Sequence, residues 1–305
     1  MLAGIHMRRT INDITNEIFK GFLESIERND GLCPVKGLRY DGMRLPDYTD
    51  LMVQQLYLLR YFPAYLVEYF DIYRDILKNK RFKKSFRVLS VGCGCGLDYY
   101  ALELALQKKG TTCAETVYYT GVDKIEWAYS NDFGNEDFKI LLCDFIGIGD
   151  VNKIQDKAFD IIIFPKSIGE FSDSDFKSLI KQFKNSTFPK KEIYIISSIR
   201  KEYTAIDQDR MANLLICLEN EHGYDSNKPK TEYIYYKNSA GLRKDFYDFV
   251  YPDEIFYFLN KLDSKCPTQL RNKQFCESDC QQNLNNKRPI LKNDHIRYQY
   301  FRLKK

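Results

Sequence analysis

The chain has 305 residues, 44% hydrophobic and 29% charged, which is enough to bury a substantial core. A formal net charge of +4 permits a nucleic-acid partner without indicating one. Nine cysteines without paired spacing indicate reduced thiols, and no apolar run reaches membrane-spanning length. The composition predicts a cytoplasmic protein with no signal peptide and no membrane partner.

Two amphipathic helices are predicted before the first strand. One covers about Ile11 to Glu27, and the other about Tyr48 to Asn79, where Pro63 is expected to interrupt or kink it. A tyrosine recurs at every fourth residue from Tyr57 to Tyr73. We interpret this stripe as a packing face, while a lid over a cofactor or a platform for bases would give the same pattern.

From Phe86 onward, short apolar runs alternate with helical segments. The runs are Phe86–Val91, Thr116–Val122, Phe138–Cys143, Phe159–Phe164 and Glu192–Ser197, with helices predicted at Asp98–Lys108, Ile125–Asn131 and Asp173–Phe183. A helix at about Ala205–Glu219, a strand-like TEYIYY, a helix opened by Pro252 and a terminal strand IRYQYF follow. This order predicts an α/β fold, a doubly wound and mostly parallel sheet ending in antiparallel strands.

The predicted domain boundary lies at the basic turn Lys78–Lys84. Residues 1–84 are expected to form a helical N-terminal cap, and residues 85–305 a Rossmann-like domain with a polar, cysteine-bearing insert at about 264–294.

The loop after the first strand carries glycines at alternate positions, Gly92, Gly94 and Gly96. Such glycines let backbone N–H groups approach a ligand at the carboxyl edge of a sheet. A phosphate-binding P-loop is excluded because Leu97-Asp98 stands where Lys-Ser/Thr is needed. A dinucleotide loop is disfavoured because Leu97 takes the third-glycine position. A cofactor without phosphate is the remaining ligand class.

Polar residues follow the next strands. Asp123 ends the second strand, where a carboxylate can accept hydrogen bonds from both hydroxyls of a ribose. Asp144 and Phe145 end the third, where they can contact an adenine amino group and ring. The fourth strand is followed by Pro165-Lys166-Ser167, beside the reactive end of the cofactor.

With VLSVGCGCG, YTGVD, LLCDF and FDIIIFPKS in this order, residues from about Phe86 to Ser198 resemble the class I S-adenosylmethionine-dependent methyltransferases. The resemblance implies S-adenosylmethionine as cofactor. The predicted cofactor-binding residues are Ser90, Gly92, Cys93, Gly94, Gly96, Asp98, Asp123, Lys124, Asp144, Phe145 and Pro165. Ser90 stands where the family usually has an acidic residue. Asp98 either supplies the missing charge or caps the following helix.

Methyl transfer from a sulfonium depends mainly on alignment, so the scarcity of histidine is no objection. If a base is needed, Glu170 is the best-placed candidate, with a solvated loop carboxylate as the alternative. Lys166 and Ser167 complete the predicted catalytic set.

A second resemblance is carried by KSIGEFSDSDFKSLI and YLLRYFPAYLVEYFDIYRDIL, which are similar to ribosomal small-subunit methyltransferase-like proteins. Some members of that family bind an iron–sulfur cluster through C-terminal cysteines. Here Cys266, Cys276 and Cys280 lack close metal-ligand spacing, so no metal site is predicted and solvated thiols are expected. Cys93 and Cys95 are interpreted as small space-fillers.

The sequence thus predicts a methyltransferase with an unidentified acceptor, either a small molecule or RNA. Two alternatives stay open. One is a non-catalytic RNA or ribosome-assembly protein, which would use a basic groove of Lys78, Lys80, Arg81, Lys83 and Lys84. The other is a nicotinamide-dependent oxidoreductase, disfavoured by Leu97.

Overall fold

The computed structural model describes residues 11–36, 38, 46–79, 85–109, 116–130, 138–148, 150–154, 158–200, 203–226, 228–232, 234–237, 245–246, 249–271, 280–285, 287–291 and 295–305. In chain order the elements are α1 (Ile11–Arg28), α2 (Cys33–Lys36), α3 (Leu51–Asn79), β1 (Ser85–Val91), α4 (Leu97–Lys109), β2 (Thr116–Asp123), β3 (Phe138–Leu142), β4 (Ile161–Pro165), α5 (Asp173–Asn185), β5 (Glu192–Ser198), α6 (Thr204–His222), β6 (Ile234–Lys237), β7 (Asp245–Phe246), β8 (Phe249–Val250), α7 (Asp253–Asn260), α8 (Pro267–Arg271), α9 (Cys280–Asn285) and β9 (His295–Lys304).

The chain divides into two compact units, which we describe separately. The first contains Met1–Val67, Trp127–Asp132 and Ala240–Asn293, and the second contains Glu68–Glu126, Phe133–Ser239 and Asp294–Lys305. The boundary predicted near residue 84 stays a prediction, and residues 80–84 lie outside the described part of the chain.

Helices dominate the first unit, together with the antiparallel pair β7–β8. The apolar residues that recur every four positions in α1 are buried, namely Ile14, Ile18, Phe22 and Ile26. Phe19 on the same helix packs edge-on against Phe258 of α7, with ring centroids 5.2 Å apart. Burial of this face holds α1 in place, as its periodicity predicts.

Pro63 lies inside α3, which runs through it as one helix. A proline has no N–H, so the carbonyl of the residue four positions earlier, Leu59, loses its usual partner. The Tyr251 hydroxyl donates a hydrogen bond of 2.8 Å to that carbonyl. The helix is thus not interrupted at Pro63, since a side chain distant in sequence satisfies the backbone, and the predicted kink stays a prediction.

The tyrosine stripe of α3 is largely a packing surface. Tyr61, Tyr69 and Tyr73 are each less than 10% exposed. In the first unit, Tyr57 contacts Tyr48 edge-on at 5.3 Å, and Tyr61 stacks on Tyr65 at 5.4 Å. Mutual ring contact at these distances agrees with the packing interpretation.

A seven-stranded sheet forms the centre of the second unit, in the order β3-β2-β1-β4-β5-β9-β6. Strands β1 to β5 are parallel, whereas β9 runs antiparallel to both β5 and β6. The predicted fold class is therefore confirmed as a doubly wound, mostly parallel Rossmann-like sheet that ends in antiparallel strands. The order reverses between β1 and β4, which makes the carboxyl ends of these strands the expected ligand site.

Fully buried strand residues form the core of this unit with the inner faces of α5 and α6. Leu89, Ile162 and Ile195 come from neighbouring strands, and Leu179 and Leu214 come from the two helices. α5 begins at the cap Ser172, whose hydroxyl accepts a hydrogen bond from the amide of Asp175 at 3.1 Å. This core fixes β1, β4 and β5 and therefore the loops at their carboxyl ends.

The helix predicted at Ile125–Asn131 is not formed in its described part, residues 125–130, so that prediction is wrong. Backbone amides that a helix would use are bonded to side chains instead. The amide of Ile125 donates to Asp123 Oδ1 at 2.9 Å, and the amide of Ala128 donates to Gln54 Oε1 at 3.0 Å. In the first unit, Trp127 packs against Tyr48 and Tyr57. Hydrogen bonds to side chains and packing with distant residues therefore outweigh the helical pattern of this segment.

Within the described part of the chain, none of the helices has the length and apolar character needed to cross a bilayer.

Candidate active site at the carboxyl edge of the sheet

The loop between β1 and α4 passes through three left-handed glycines. Their φ angles are +69° at Gly92, +58° at Gly94 and +86° at Gly96. A Cβ at Gly92 would lie 2.5 Å from the Cβ of Ser167, and one at Gly96 would lie 2.9 Å from the ring of Phe138. All three positions therefore need glycine for their left-handed backbone conformation. Gly92 and Gly96 need it also because a Cβ would clash with a neighbouring side chain. The loop lies at the switch point between β1 and β4, and approach of its backbone to a ligand stays a prediction.

Asp123 joins the end of β2 to this loop. Its Oδ2 accepts from the amide of Gly94 at 2.8 Å, and its Oδ1 accepts from the amide of Ile125 at 2.9 Å. The carboxylate is half-buried, and the neighbouring Lys124 is exposed. Each carboxylate oxygen can accept more than one hydrogen bond, and contact of Asp123 with the hydroxyls of a ribose stays a prediction.

Asp98 lies beneath the loop, in the first turn of α4, and is 1% exposed. Its carboxyl accepts hydrogen bonds from the hydroxyls of Tyr119, at 2.7 Å, and Tyr73, at 3.2 Å. Burial raises the pKa of this carboxyl to about 6, while the two phenols act in the opposite direction. The side chain thus bonds to phenols on β2 and α3.

Ser90 is fully buried on β1, where it pairs in register with Gly121 of β2 and Ile163 of β4. Its hydroxyl is close enough to lower the pKa of the Asp98 carboxyl. It makes no hydrogen bond of normal geometry to any described residue. That Asp98 supplies the charge missing at the Ser90 position stays a prediction.

The thiols of the glycine loop are buried. Cys93 donates to the carbonyl of Gly94 at 3.5 Å, and a Cβ at Gly121 would lie 2.6 Å from its sulfur. Burial raises the pKa of Cys93 well above its ordinary value and that of Cys95 to about 12. Neither thiol is a nucleophile at neutral pH, which agrees with the space-filling interpretation.

The two residues predicted to contact adenine lie in different environments. Asp144 is exposed after β3, and its Oδ1 accepts from the amide of Ile146 at 3.1 Å. Phe145 is 4% exposed and packs in the core with its ring centroid 6.5 Å from that of Phe183. Contacts of either residue with adenine stay a prediction.

At the end of β4, Pro165 is buried and pairs with Ser198 of β5. Lys166 follows in a left-handed conformation, with φ +61°, which is uncommon for a residue with a side chain. The hydroxyl of Ser167 donates to the carbonyl of Val91. Together with the close approach of Ser167 to Gly92, this bond fixes the β4 loop against the glycine loop.

A buried carboxylate that the sequence did not single out holds Lys166. Glu68 of α3 has no exposed surface, and its Oε1 lies 2.8 Å from Lys166 Nζ. It also accepts from the hydroxyl of Ser198, while Lys166 Nζ donates to the carbonyl of Ile199 at 3.3 Å. The sequence signal for Glu68 is its position as an acidic residue within a long apolar run.

Glu170 lies in the same loop, where its amide donates to the carbonyl of Ser167 at 2.8 Å. Its side chain is 33% exposed, and its Oε1 lies 3.8 Å from Arg200 Nη1. Although partly exposed, the carboxyl is surrounded by protein, and this loss of water raises its pKa to about 7 against the opposing charge of Arg200. Glu170 is therefore ionised in part at neutral pH.

The described residues contain no group of three His, Cys, Asp or Glu side chains that could hold a metal ion. Cys266 and Cys280 are buried, which contradicts the prediction of solvated thiols at these two positions. A buried thiol behaves as a small hydrophobe. Cys276 lies outside the described part of the chain.

The arrangement fits the adenosyl cofactor implied by the sequence. Gly92 lets the glycine loop lie close to Ser167, where a Cβ would clash, and the Asp123 carboxylate stands at the end of the adjacent strand. Ser167 and Glu170 follow β4 on the other side of β1. The structure thus brings the glycine loop, the β2 carboxylate and the β4 loop to one edge of the sheet.

Comparison with protein families and with curated proteins does not identify a relative of this chain. No protein-family model matches the chain, and none of the curated proteins matches it.

Solved structures of methyltransferases share parts of its architecture at low similarity. The plantazolicin methyltransferase BpumL, in complex with SAH, is 13% identical with a TM-score of 0.41, over 93% of this chain and 99% of that one. A SAM dependent methyltransferase from Archaeoglobus fulgidus is 16% identical with a TM-score of 0.36, over 77% of this chain and 94% of that one. The phosphoethanolamine N-methyltransferase 2 of Haemonchus contortus, with S-adenosyl-L-methionine, is 13% identical with a TM-score of 0.36, over 77% of this chain and 52% of that one. At these identities and TM-scores the likenesses carry no inference about the activity of this chain.

Proposed function

We propose that this chain is an S-adenosylmethionine-dependent methyltransferase acting on an unidentified acceptor. One observation carries the proposal: the Asp123 carboxylate at the end of β2 accepts a hydrogen bond from the amide of Gly94, the central left-handed glycine of the loop after β1. Left-handed glycines beside a carboxylate at a topological switch point suit a nucleoside. Asp98 follows the last glycine, where a pyrophosphate would meet repulsion.

Bound S-adenosylmethionine supplies an activated methyl group and leaves as a neutral thioether. The contribution of the protein is therefore mainly alignment of the acceptor with the methyl carbon and sulfur. Lys166 and Ser167 are tied to Glu68 and to the carbonyl of Val91, so they give the β4 loop a fixed shape beside the glycine loop. Glu170 is the candidate base for an acceptor that loses a proton, because its carboxyl titrates near neutral pH.

The acceptor class stays open between a small molecule and RNA. The basic residues Lys80, Arg81, Lys83 and Lys84 of the predicted RNA groove lie outside the described part of the chain. We place the protein in the cytoplasm, because its nine cysteines lack paired spacing, as is usual for reduced thiols.

The test is cofactor binding by wild type and by Asp123→Ala. S-adenosylhomocysteine at about 100 times its Kd should stabilise the wild-type protein by about 2.7 kcal/mol, measured by thermal shift and calorimetry. Asp123→Ala should lose binding, because both the ribose acceptor and the anchor of the Gly94 amide are removed. The control Asp209→Ala changes an exposed carboxylate on α6 and should bind as wild type does.

NADH serves as the competing ligand in the same assay. Binding of NADH in place of S-adenosylhomocysteine would replace the proposal with a nicotinamide-dependent oxidoreductase. Undiminished binding of S-adenosylhomocysteine to Asp123→Ala would show that the ligand does not use the end of β2.

A further inference from the structure

Three charged side chains form a row behind the β4 loop. Asp207 of α6 is fully buried, Arg200 after β5 is 14% exposed, and Glu170 is 33% exposed. Arg200 Nη2 donates to Asp207 Oδ1 at 2.8 Å and its Nε donates to Oδ2 at 3.3 Å. The amide of Arg200 also donates to Oδ2, at 2.8 Å. Asp207 therefore fixes both the side chain and the backbone of Arg200.

The row packs directly against the β4 loop. A Cβ at Gly169 would lie 1.8 Å from Asp207 Oδ1 and 2.1 Å from Arg200 Nη2, so only glycine fits there. The guanidinium also lies over the ring of Tyr203, with 4.3 Å between its Cζ and the ring centroid. Glu170, the next residue after Gly169, is thereby held in a fixed place relative to Arg200.

The positive charge of Arg200 neutralises Asp207 more fully than it neutralises Glu170. Asp207 takes the short, paired hydrogen bonds of Arg200, whereas Glu170 meets Arg200 only at 3.8 Å, beyond hydrogen-bonding distance. The other charges that act on Glu170 come from Asp123 and Lys124 at the end of β2. The amide of Glu170 donates to the carbonyl of Ser167, and a Cβ at Gly92 would lie 2.5 Å from the Cβ of Ser167, so the loop that carries Glu170 packs on the glycine loop.

A carboxylate whose negative charge is only partly neutralised by its neighbours attracts a cation that binds close to it. S-adenosylmethionine carries a positive sulfonium, and its product S-adenosylhomocysteine has a neutral thioether in the same place. The two ligands are otherwise identical in their ionisable groups. A charged group near the reactive end of the cofactor is therefore able to tell them apart by charge alone.

We propose that ionised Glu170, positioned by Arg200 and Asp207, recognises the sulfonium charge and makes the site prefer S-adenosylmethionine to its thioether product. The inference rests on the proposed function. It gives Glu170 a role in cofactor discrimination and product release that is separate from proton transfer to or from an acceptor.

The proposal predicts a pH dependence that differs between the two ligands. Burial raises the pKa of Glu170 to about 7, and a bound cation would lower it again. S-adenosylmethionine should therefore bind about tenfold more weakly at about pH 5.5 than at about pH 8.5, since one pKa unit corresponds to a factor of ten. S-adenosylhomocysteine should change by about twofold at most, because it brings no charge to the sulfur position.

Calorimetric titration of both ligands over this pH range measures the difference. Near pH 7, in buffers of different ionisation enthalpy, binding of S-adenosylmethionine should release protons and binding of S-adenosylhomocysteine should not. In Glu170→Gln the pH curves of the two ligands should become parallel. The control Glu221→Gln changes a carboxylate of similar exposure, 35%, paired with Lys184 at the end of α6, and should keep the wild-type difference.

Two further variants should shift the pH midpoint of S-adenosylmethionine binding in opposite directions. Arg200→Gln removes the opposing positive charge and should shift the midpoint of the S-adenosylmethionine curve to higher pH. Asp207→Asn removes a like charge and leaves the guanidinium less neutralised, so the midpoint should move to lower pH. Arg200→Gln keeps the test usable if the buried Asp207 substitution impairs folding.

The outcomes are separable. Parallel pH curves for the two ligands in wild type, or a difference that persists in Glu170→Gln, would overturn the role of Glu170 and leave the cofactor assignment intact. Failure of wild type to bind either ligand would overturn the proposed function, and this inference with it.

Discussion

At the scale of single residues, the candidate site depends on positions where only glycine fits. Gly92 combines a left-handed φ of +69° with a Cβ position 2.5 Å from the Cβ of Ser167. Gly223, which ends α6, has nearly the same φ of +68° but no atom within 4 Å of its Cβ position. Comparing an alanine substitution at each residue therefore distinguishes the free-energy cost of a left-handed backbone from the cost of steric crowding.

Gly223→Ala should lower the free energy of unfolding by about 1–2 kcal/mol, the cost of a left-handed residue with a Cβ. Gly92→Ala should lower it by about 2–5 kcal/mol, because overpacking against Ser167 adds to the same backbone cost. Urea denaturation of both variants measures the difference. Equal losses would mean that the β4 loop moves aside at little cost, and that its contact with the glycine loop is loose.

At the scale of elements, the sequence predicted the helices and strands that depend on their own residues, but not those that depend on contacts with distant residues. The strand predicted at Glu192–Ser197 is observed at Glu192–Ser198, because a short apolar run that is buried on both faces of a sheet is recognisable from its own residues. The helix predicted at Ile125–Asn131 failed because a side chain 74 positions earlier, that of Gln54, takes the amide of Ala128. Spacing likewise indicated Asp123, whereas Glu68 is recognisable only once the fold brings it to Lys166.

The continuity of α3 through Pro63 is a second effect of distant contacts. Tyr251→Phe should destabilise the protein by about 1–2 kcal/mol, because the Leu59 carbonyl loses the only partner described for it. Pro63→Ala restores a backbone donor to that carbonyl, so Tyr251→Phe should cost less in that background. Denaturant unfolding of the four proteins in this double-mutant cycle measures the coupling.

Tyr257→Phe is the matched control, since Tyr257 on α7 is 62% exposed. It should leave the free energy of unfolding within about 0.5 kcal/mol of wild type. Additive costs of Pro63→Ala and Tyr251→Phe would contradict the account of α3, because the hydroxyl would then contribute independently of the proline.

At the scale of the whole molecule, the described residues of the second unit include three carboxyls whose pKa is raised mainly by burial. The pKa rises to about 6 at Asp71 and Asp98 and to about 7 at Glu170. A raised pKa means that the folded state holds protons more tightly than the unfolded chain does. Their contribution to stability is therefore complete below about pH 4 and is lost as the pH rises through about 6 to 7.

Asp98→Asn isolates one of these contributions. An amide does not titrate, so the free energy of unfolding of wild type should fall relative to that of the variant between about pH 4 and pH 7. Chemical denaturation across this range gives both curves, and Asp71 and Glu170 cancel in their difference. Parallel curves would show that the carboxyl held by Tyr73 and Tyr119 does not change its charge on folding.

The position of β9 has a consequence for how this protein tolerates damage. β9 pairs with β5 over seven residues and with β6 over four, and the sheet order gives β6 no other neighbour. Proteolytic loss of His295–Lys304 would therefore remove two strands from the sheet and expose the edge of β5. Such an edge is a template for aggregation, so a small cleavage would convert a folded protein into a substrate for cellular quality control.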